Sequence, residues 1–152
     1  MSQRISDTAI RMFPDLLSLT TLTLATCDAS GAPHAASVYF AADQAMHLYF
    51  FSDPASLHSR HLSENPHAAG AIYPECHDWR DIRGLQLHGE VHPVPPGPEW
   101  DAAWELYAAK FPFVAELRAA VDANVLYVFT PGWVRLVDNR RGFGFKQEWE
   151  LP

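Results

Sequence analysis

LYFFSDPASLHSRHLSENPHAAGAIY, residues 48 to 73, is the stretch whose reading decides the fold. An apolar strand over His47 to Phe51 meets a polar turn at Ser52-Asp53-Pro54, then a short helix, then a second strand. Ser56 suits the helix N-cap, where a side-chain oxygen accepts a hydrogen bond from a backbone N–H one turn on. Asn65-Pro66 stops the helix, because proline disfavours helical conformation at the residue before it. Ser52, Ser56, Ser59, Arg60 and His61 therefore gather around one helix N-terminus. Unpaired N–H groups and the helix dipole favour an anion there, and a guanidinium forks readily onto phosphate. The segment reads as a phosphate clamp. A capped surface helix with a solvated arginine is the competing reading, and Asp53 would repel a phosphate unless its carboxylate turns away.

Upstream, Ile5, Ala9, Met12 and Phe13 fall at helical spacing, which predicts an amphipathic helix over residues 4 to 13. Pro14 ends it or restarts it as a first-turn residue. Leu19 to Cys27 alternates and is rich in threonine, as a half-buried strand would be. Asp28-Ala29-Ser30-Gly31 is turn chemistry, and His34 to Phe40 follows as the hairpin partner, with Ala36, Val38 and Phe40 on one face. Downstream, His67 to Tyr73 predicts a strand of small residues, and Ile82 to Val94 a long alternating strand in which Gly84 and Gly89 suggest bulges or sharp curvature. Trp100, Trp104, Tyr107 and Phe111 mark a helix with an aromatic stripe, and Phe113, Leu117 and Val121 a second, short one. Val125 to Thr130 and Trp133 to Val137 read as strands parted by a tight turn at Pro131-Gly132, and the tail from Asn139 shows no clear period.

Strands and helices do not alternate, so a doubly wound parallel sheet is disfavoured. Short antiparallel strands with bulge glycines suit a closed or split barrel in one domain over residues 1–152. A formal charge of -7 argues against nucleic acid, whose phosphates need a basic face. No apolar run approaches the roughly 20 residues that span a bilayer. The N-terminus is polar and charged too early for a secretion signal, and Cys27 and Cys76 form no C-x-x-C pair, so a reducing cytoplasm is expected. His58 and His61 share a helix face and His88 and His92 a strand face, yet neither pair matches a zinc spacing, and no metal site is expected. Cys27, at the end of an apolar strand, is expected to be inert packing.

TLTLATCDASGAPHAASVYF, residues 20 to 40 without their first threonine, resembles the opening hairpin of the pyridoxamine-phosphate-oxidase-like split-barrel flavoproteins. The segment from Leu48 to Tyr73 is similar to that superfamily's next unit, with a strand, a hydroxyl residue, a basic helix start and Asn-Pro in order. IRGLQLHGEV and the tail DNRRGFGFKQEW resemble, more narrowly, the small YhbP-like branch. The resemblance implies a mainly β (α+β) fold, a six-stranded antiparallel split β-barrel with flanking helices, forming a homodimer with FMN at its interface. It implies that Ser52, Ser59, Arg60 and His61 hold the phosphate, and that Ser37, Val38 and Tyr39 face the isoalloxazine edge. Gln86 would reach the ring from the long strand, and a tail containing Phe143, Lys146 and Trp149 would cross to the partner's flavin.

The chain also departs from that pattern. The true oxidases carry an Arg-Lys pair near the start of this helix, where Leu57-His58 stand here, and the second strand, His34 to Phe40, has no basic residue beyond His34. Arg60 and histidines replace the missing cations, and oxidation of the vitamin itself is not expected. Two functions stay open. One is a flavin-dependent oxidoreductase acting on a small organic substrate, with a nicotinamide or deazaflavin as reductant; in it the cofactor carries the chemistry and no catalytic residue is assigned. The other is a non-catalytic protein that binds or stores flavin or haem.

Overall fold

A computed structural model describes Gln3, Arg4 and residues 13–152. The helix expected over residues 4 to 13 lies outside the described residues except at its two ends. The elements are β1 (Gln3–Arg4), α1 (Pro14–Leu17), β2 (Thr21–Cys27), β3 (Pro33–Tyr39), β4 (Ala41–Ala42), β5 (Leu48–Ser52), α2 (Leu57–Glu64) and β6 (His67–Ile72). They continue with β7 (Arg83–Pro93), α3 (Pro98–Lys110), α4 (Arg118–Ala123), β8 (Val125–Asp138) and β9 (Lys146–Glu150).

The strands run in the order β1-β9-β8-β7-β6-β2-β3, with β5 also on β8 and β4 on β5. Only β1 and β9 pair in parallel among the described strands; the other ladders are antiparallel. The length of β8 explains the topology. One of its edges takes β7, while the other takes β5 along Val125–Phe129 and β9 along Trp133–Val137. The sheet curls until β5 approaches β3, and no ladder joins them among the described residues. The result is a mainly β split barrel with flanking helices. The barrel expected from the resemblance corresponds to β2, β3, β5, β6, β7 and β8, and the short β1, β4 and β9 extend it.

Two details differ from the sequence reading. Pro131-Gly132 is not a turn: β8 runs through it, and Gly132 is the extra residue of a bulge where His88 faces Trp133 but Gly89 faces Pro131. Proline is tolerated there because a bulge releases its position from donating to the ladder. A Cβ on Gly89 would stand 2.1 Å from the Thr130 carbonyl oxygen, so the crossing needs glycine. The tail, expected to be irregular, forms β9 and sends Trp149 into the core against Phe13.

The inward faces of the strands pack Leu22, Leu24, Phe40, Phe50, Leu87 and Phe129 into one fully buried cluster. Burial of each such side chain contributes roughly 1.5–3 kcal/mol. The fit is tight: a Cβ at Gly70 would come within 2.9 Å of both Leu22 and Phe129. Across the outward face, register aligns Ser37, Thr23, Ala71, Gln86, Arg135 and Glu148 in one row from β3 to β9. Helix α2 covers β2 and β3, and α3 lies on β4 and β5.

Candidate functional site

The site is built where β5 ends and α2 begins. Ser52 closes β5, and the Asp53 carboxylate accepts the N–H of Ala55, the residue before the N-cap, at 2.8 Å. Ser56 is the N-cap, with extended backbone, and accepts the N–H of Ser59 at 3.3 Å while its hydroxyl donates to that of Ser59 at 2.8 Å. The N–H groups of Leu57 and His58 find no partner among the described residues, as expected of a first turn. Asn65 ends the helix with extended backbone, its N–H on the His61 carbonyl at 2.8 Å.

Three imidazoles converge beside this helix end. His58 places Nε2 against the hydroxyls of Ser52 and, at 3.2 Å, Ser56. His34, arriving on β3, lies parallel to His58 with centroids 6.5 Å apart and edge-on to His61 at 5.9 Å. His61 is buried and bonds Thr26 through Nδ1 at 3.1 Å. Burial, and then the neighbouring His34 and His61, hold His58 below the ordinary imidazole pKa. No hydrogen bond from a lysine or arginine enters this cluster among the described residues. It offers hydroxyls, open amides and basic nitrogens, which suits an oxyanion. No group of three His, Cys, Asp or Glu side chains among the described residues is arranged to hold a metal.

The residues named from sequence divide into separate places. Ser52, Ser59 and His61 are buried in or beside this cluster. Arg60 points to solvent one helix step away, with no ion pair among the described residues. Ser37 and Tyr39 are exposed on the outward face of β3, while Val38, 7% exposed, points into the core, which leaves only its backbone for a ligand. Gln86 is exposed on β7 and accepts from Arg135 at 3.3 Å; Arg135 also pairs with Glu148. Three strand spacings part Ser37 from Gln86, about 14 Å, too far for both to touch one ring edge within a single chain. Lys146 is exposed at the start of β9. Trp149 is 2% exposed in the core and offers its ring to no ligand as placed, whereas Phe143 is 85% exposed and packs edge-on to Trp79. His34 and His58 are the cluster members that local reading underweighted; His58 stands at the helix start, whereas His34 comes from a different element.

A hollow of about 670 Å³ opens on the outward face between β2, β6, β7 and β8, lined by Ala25, Cys27, His67, Ala69, His88 and Trp133 among others. His88 stacks on Trp133 with centroids 4.5 Å apart.

The family model described as pyridoxamine 5'-phosphate oxidase matches residues 7–138. The chain belongs to that family. Within it, the chain is 29% identical over 102 residues to the UPF0306 protein YhbP of Salmonella paratyphi A, spanning 67% of this chain and 65% of that protein. This places it in the YhbP branch of the pyridoxamine 5'-phosphate oxidase-like proteins. The fold agrees with solved structures. A haem-binding protein from Mycobacterium smegmatis superposes with a TM-score of 0.76 at 24% identity, over 97% of this chain and 59% of that one. HutZ, the haem storage protein from Vibrio cholerae, gives 0.66 at 18% identity, over 86% of this chain and 96% of that one.

Proposed function

We propose that the protein is an FMN-binding flavoprotein, an oxidoreductase acting on a small organic substrate, with the flavin phosphate held at the junction of β5 and α2. The observation that carries this reading is the junction itself: hydroxyls of Ser52 and Ser56, open amides of Leu57 and His58, and three imidazoles around one helix end. These groups fit a phosphate monoester, which asks for several donors converging on one tetrahedral anion. The ring would then lie along the exposed β3 residues Ser37 and Tyr39, with the backbone of Val38 between them. Gln86 and Lys146 stand too far along the sheet to join them from the same chain, so they would act on the ring held by the other subunit of a homodimer. Arg60, near the phosphate but exposed, would contribute long-range charge. FMN, when bound, supplies hydride or electron transfer, and a nicotinamide or deazaflavin would serve as reductant. The protein would orient the ring and exclude water around it. No helix among the described residues is long and apolar enough to cross a membrane, and both cysteines are free, which suits work in a reducing cytoplasm.

The outward hollow favours a second reading. Its walls carry His67 and His88, either of which could ligate a haem iron, and two proteins of this fold are described as haem-binding or haem-storing. On that reading the protein would bind or store haem without catalysis.

Titration of the purified protein with FMN, riboflavin and haemin separates the two. Binding of FMN at least tenfold tighter than riboflavin supports the phosphate site. A Soret band shifted on haemin addition and abolished in His88→Ala, with no FMN binding, overturns it in favour of haem.

A further inference from the structure

The phosphate subsite of the FMN reading has an unusual charge budget. A dianion needs positive charge nearby, yet the cations within reach of Ser52 and Ser56 are imidazoles, which are charged only when protonated. His34, His58 and His61 lie on two different elements, with ring centroids 5.9 and 6.5 Å apart. Without an anion, a proton on one of them raises the cost of a proton on the next, because like charges at this spacing repel. With a phosphate between the rings and the helix end, each added proton gains an opposite charge instead.

We propose that the site takes up a proton together with its phosphate, His58, set between the Ser52 and Ser56 hydroxyls and the rings of His34 and His61, supplying by protonation the positive charge that no lysine or arginine brings there among the described residues. The proposal rests on the FMN reading and deepens it: the preferred ligand is a phosphate monoester, and its affinity is tied to pH through the protein. The surroundings are consistent with this. From the β2–β3 turn, the Asp28 carboxylate acts on His61 only through space and is engaged by the Ser30 hydroxyl and the Ala32 amide. From the β5–α2 turn, Asp53 is turned to the Ala55 amide. On β2, the Cys27 thiol is taken by the Asn65 side chain at 3.2 Å, and Thr26 meets His61 as a neutral hydroxyl. On α2, Arg60 projects outward. None of these neutralises an imidazolium by direct contact. His58, aimed at both hydroxyls, is the member best placed to carry the proton.

The test measures FMN and riboflavin affinity across the imidazole range and counts protons by calorimetry in buffers of different ionisation heat. The expected result is an FMN affinity that falls by up to about tenfold per pH unit between pH 6.5 and 8.5, with close to one proton taken up per FMN, while riboflavin affinity stays flat. His58→Lys, which installs a permanent cation, should bind FMN with little pH dependence and little proton uptake; His58→Gln should bind weakly and also without slope. Tight, phosphate-dependent FMN binding with no proton uptake, or a His58→Lys protein with the wild-type slope, overturns the proposal while leaving the FMN reading standing. Equal affinity for FMN and riboflavin at every pH overturns both.

Discussion

The rings of His34 and His58 lie within 5° of parallel, 6.5 Å apart, although one rides on the barrel and the other on a helix packed against it. Without a bound anion, burial and then the neighbouring rings disfavour charge on His58. Because His58 is held below its ordinary pKa of 6.5, the unfolded chain binds the proton first. Its contribution to stability is complete above that value and is lost as pH falls through the folded-state pKa. The melting temperature should drop on acidification below about pH 6.5, and 20-fold more phosphate than protein (on the order of millimolar) should restore part of it by charge pairing. His58→Gln should flatten the acid limb; an unchanged limb in that variant would assign it to other histidines.

Gly89 sits against Thr130 at the bulge, where an added Cβ meets backbone at 2.1 and 2.7 Å. Backbone cannot swing aside as a side chain can. Gly89→Ala should therefore lose about 2–4 kcal/mol in urea unfolding. Gly132→Ala, across the same bulge with open space around its Cβ, should lose far less. Equal losses would mean that the bulge, not the close approach, sets the cost.

Tyr107 on α3 donates its hydroxyl to the Tyr39 carbonyl at 3.2 Å, tying the end of β3 to the helix. Tyr107→Phe should cost about 1 kcal/mol, the usual worth of one such bond. Burial, and then Tyr39, push its phenol up to about 12 from 10.0. A raised folded-state pKa means that stability present below pH 10 is lost as pH rises toward about 12, so alkaline unfolding should be shallower in the phenylalanine variant.

Lys110 donates from Nζ to the carbonyls of Leu17 at 3.1 Å and Leu19 at 2.6 Å, with the Phe40 ring centroid 4.0 Å away. Lys110→Met removes two charge-assisted bonds and should destabilise by about 2 kcal/mol at neutral pH. Burial lowers the lysine to about 8 from 10.5, so its unfolded form binds protons more avidly between those values. The wild type should gain stability as pH rises from about 8 toward 10.5, and the variant should not.

Much of the barrel was legible because alternation on a sheet is a local signal. Ala36 and Val38 turn inward while Ala35, Ser37 and Tyr39 turn outward, as their order requires. The β8 bulge was not legible, since Pro131-Gly132 reads as a turn until Gly89 on another strand is seen to face it. Strand β9 was hidden because, among its five residues, only Trp149 is buried, which is too little for a period to show. That Ser52, Ser59 and His61 lie near one helix start was legible from their closeness in sequence. The outward set of Arg60 follows from the 100° step between Ser59 and its neighbour on the helix. His34 was beyond local reading, because a hairpin, not a motif, carries it to the cluster.

The crowding around Gly70 carries a lesson about how such a chain can change. The interior at Gly70 has no room for one more methyl group, so any ligand would have to be met away from that point, at the seam or the outer wall. The residues that choose a ligand are then different residues from those that hold the barrel shut. Replacements on that outer surface would then leave the packing around Gly70 undisturbed.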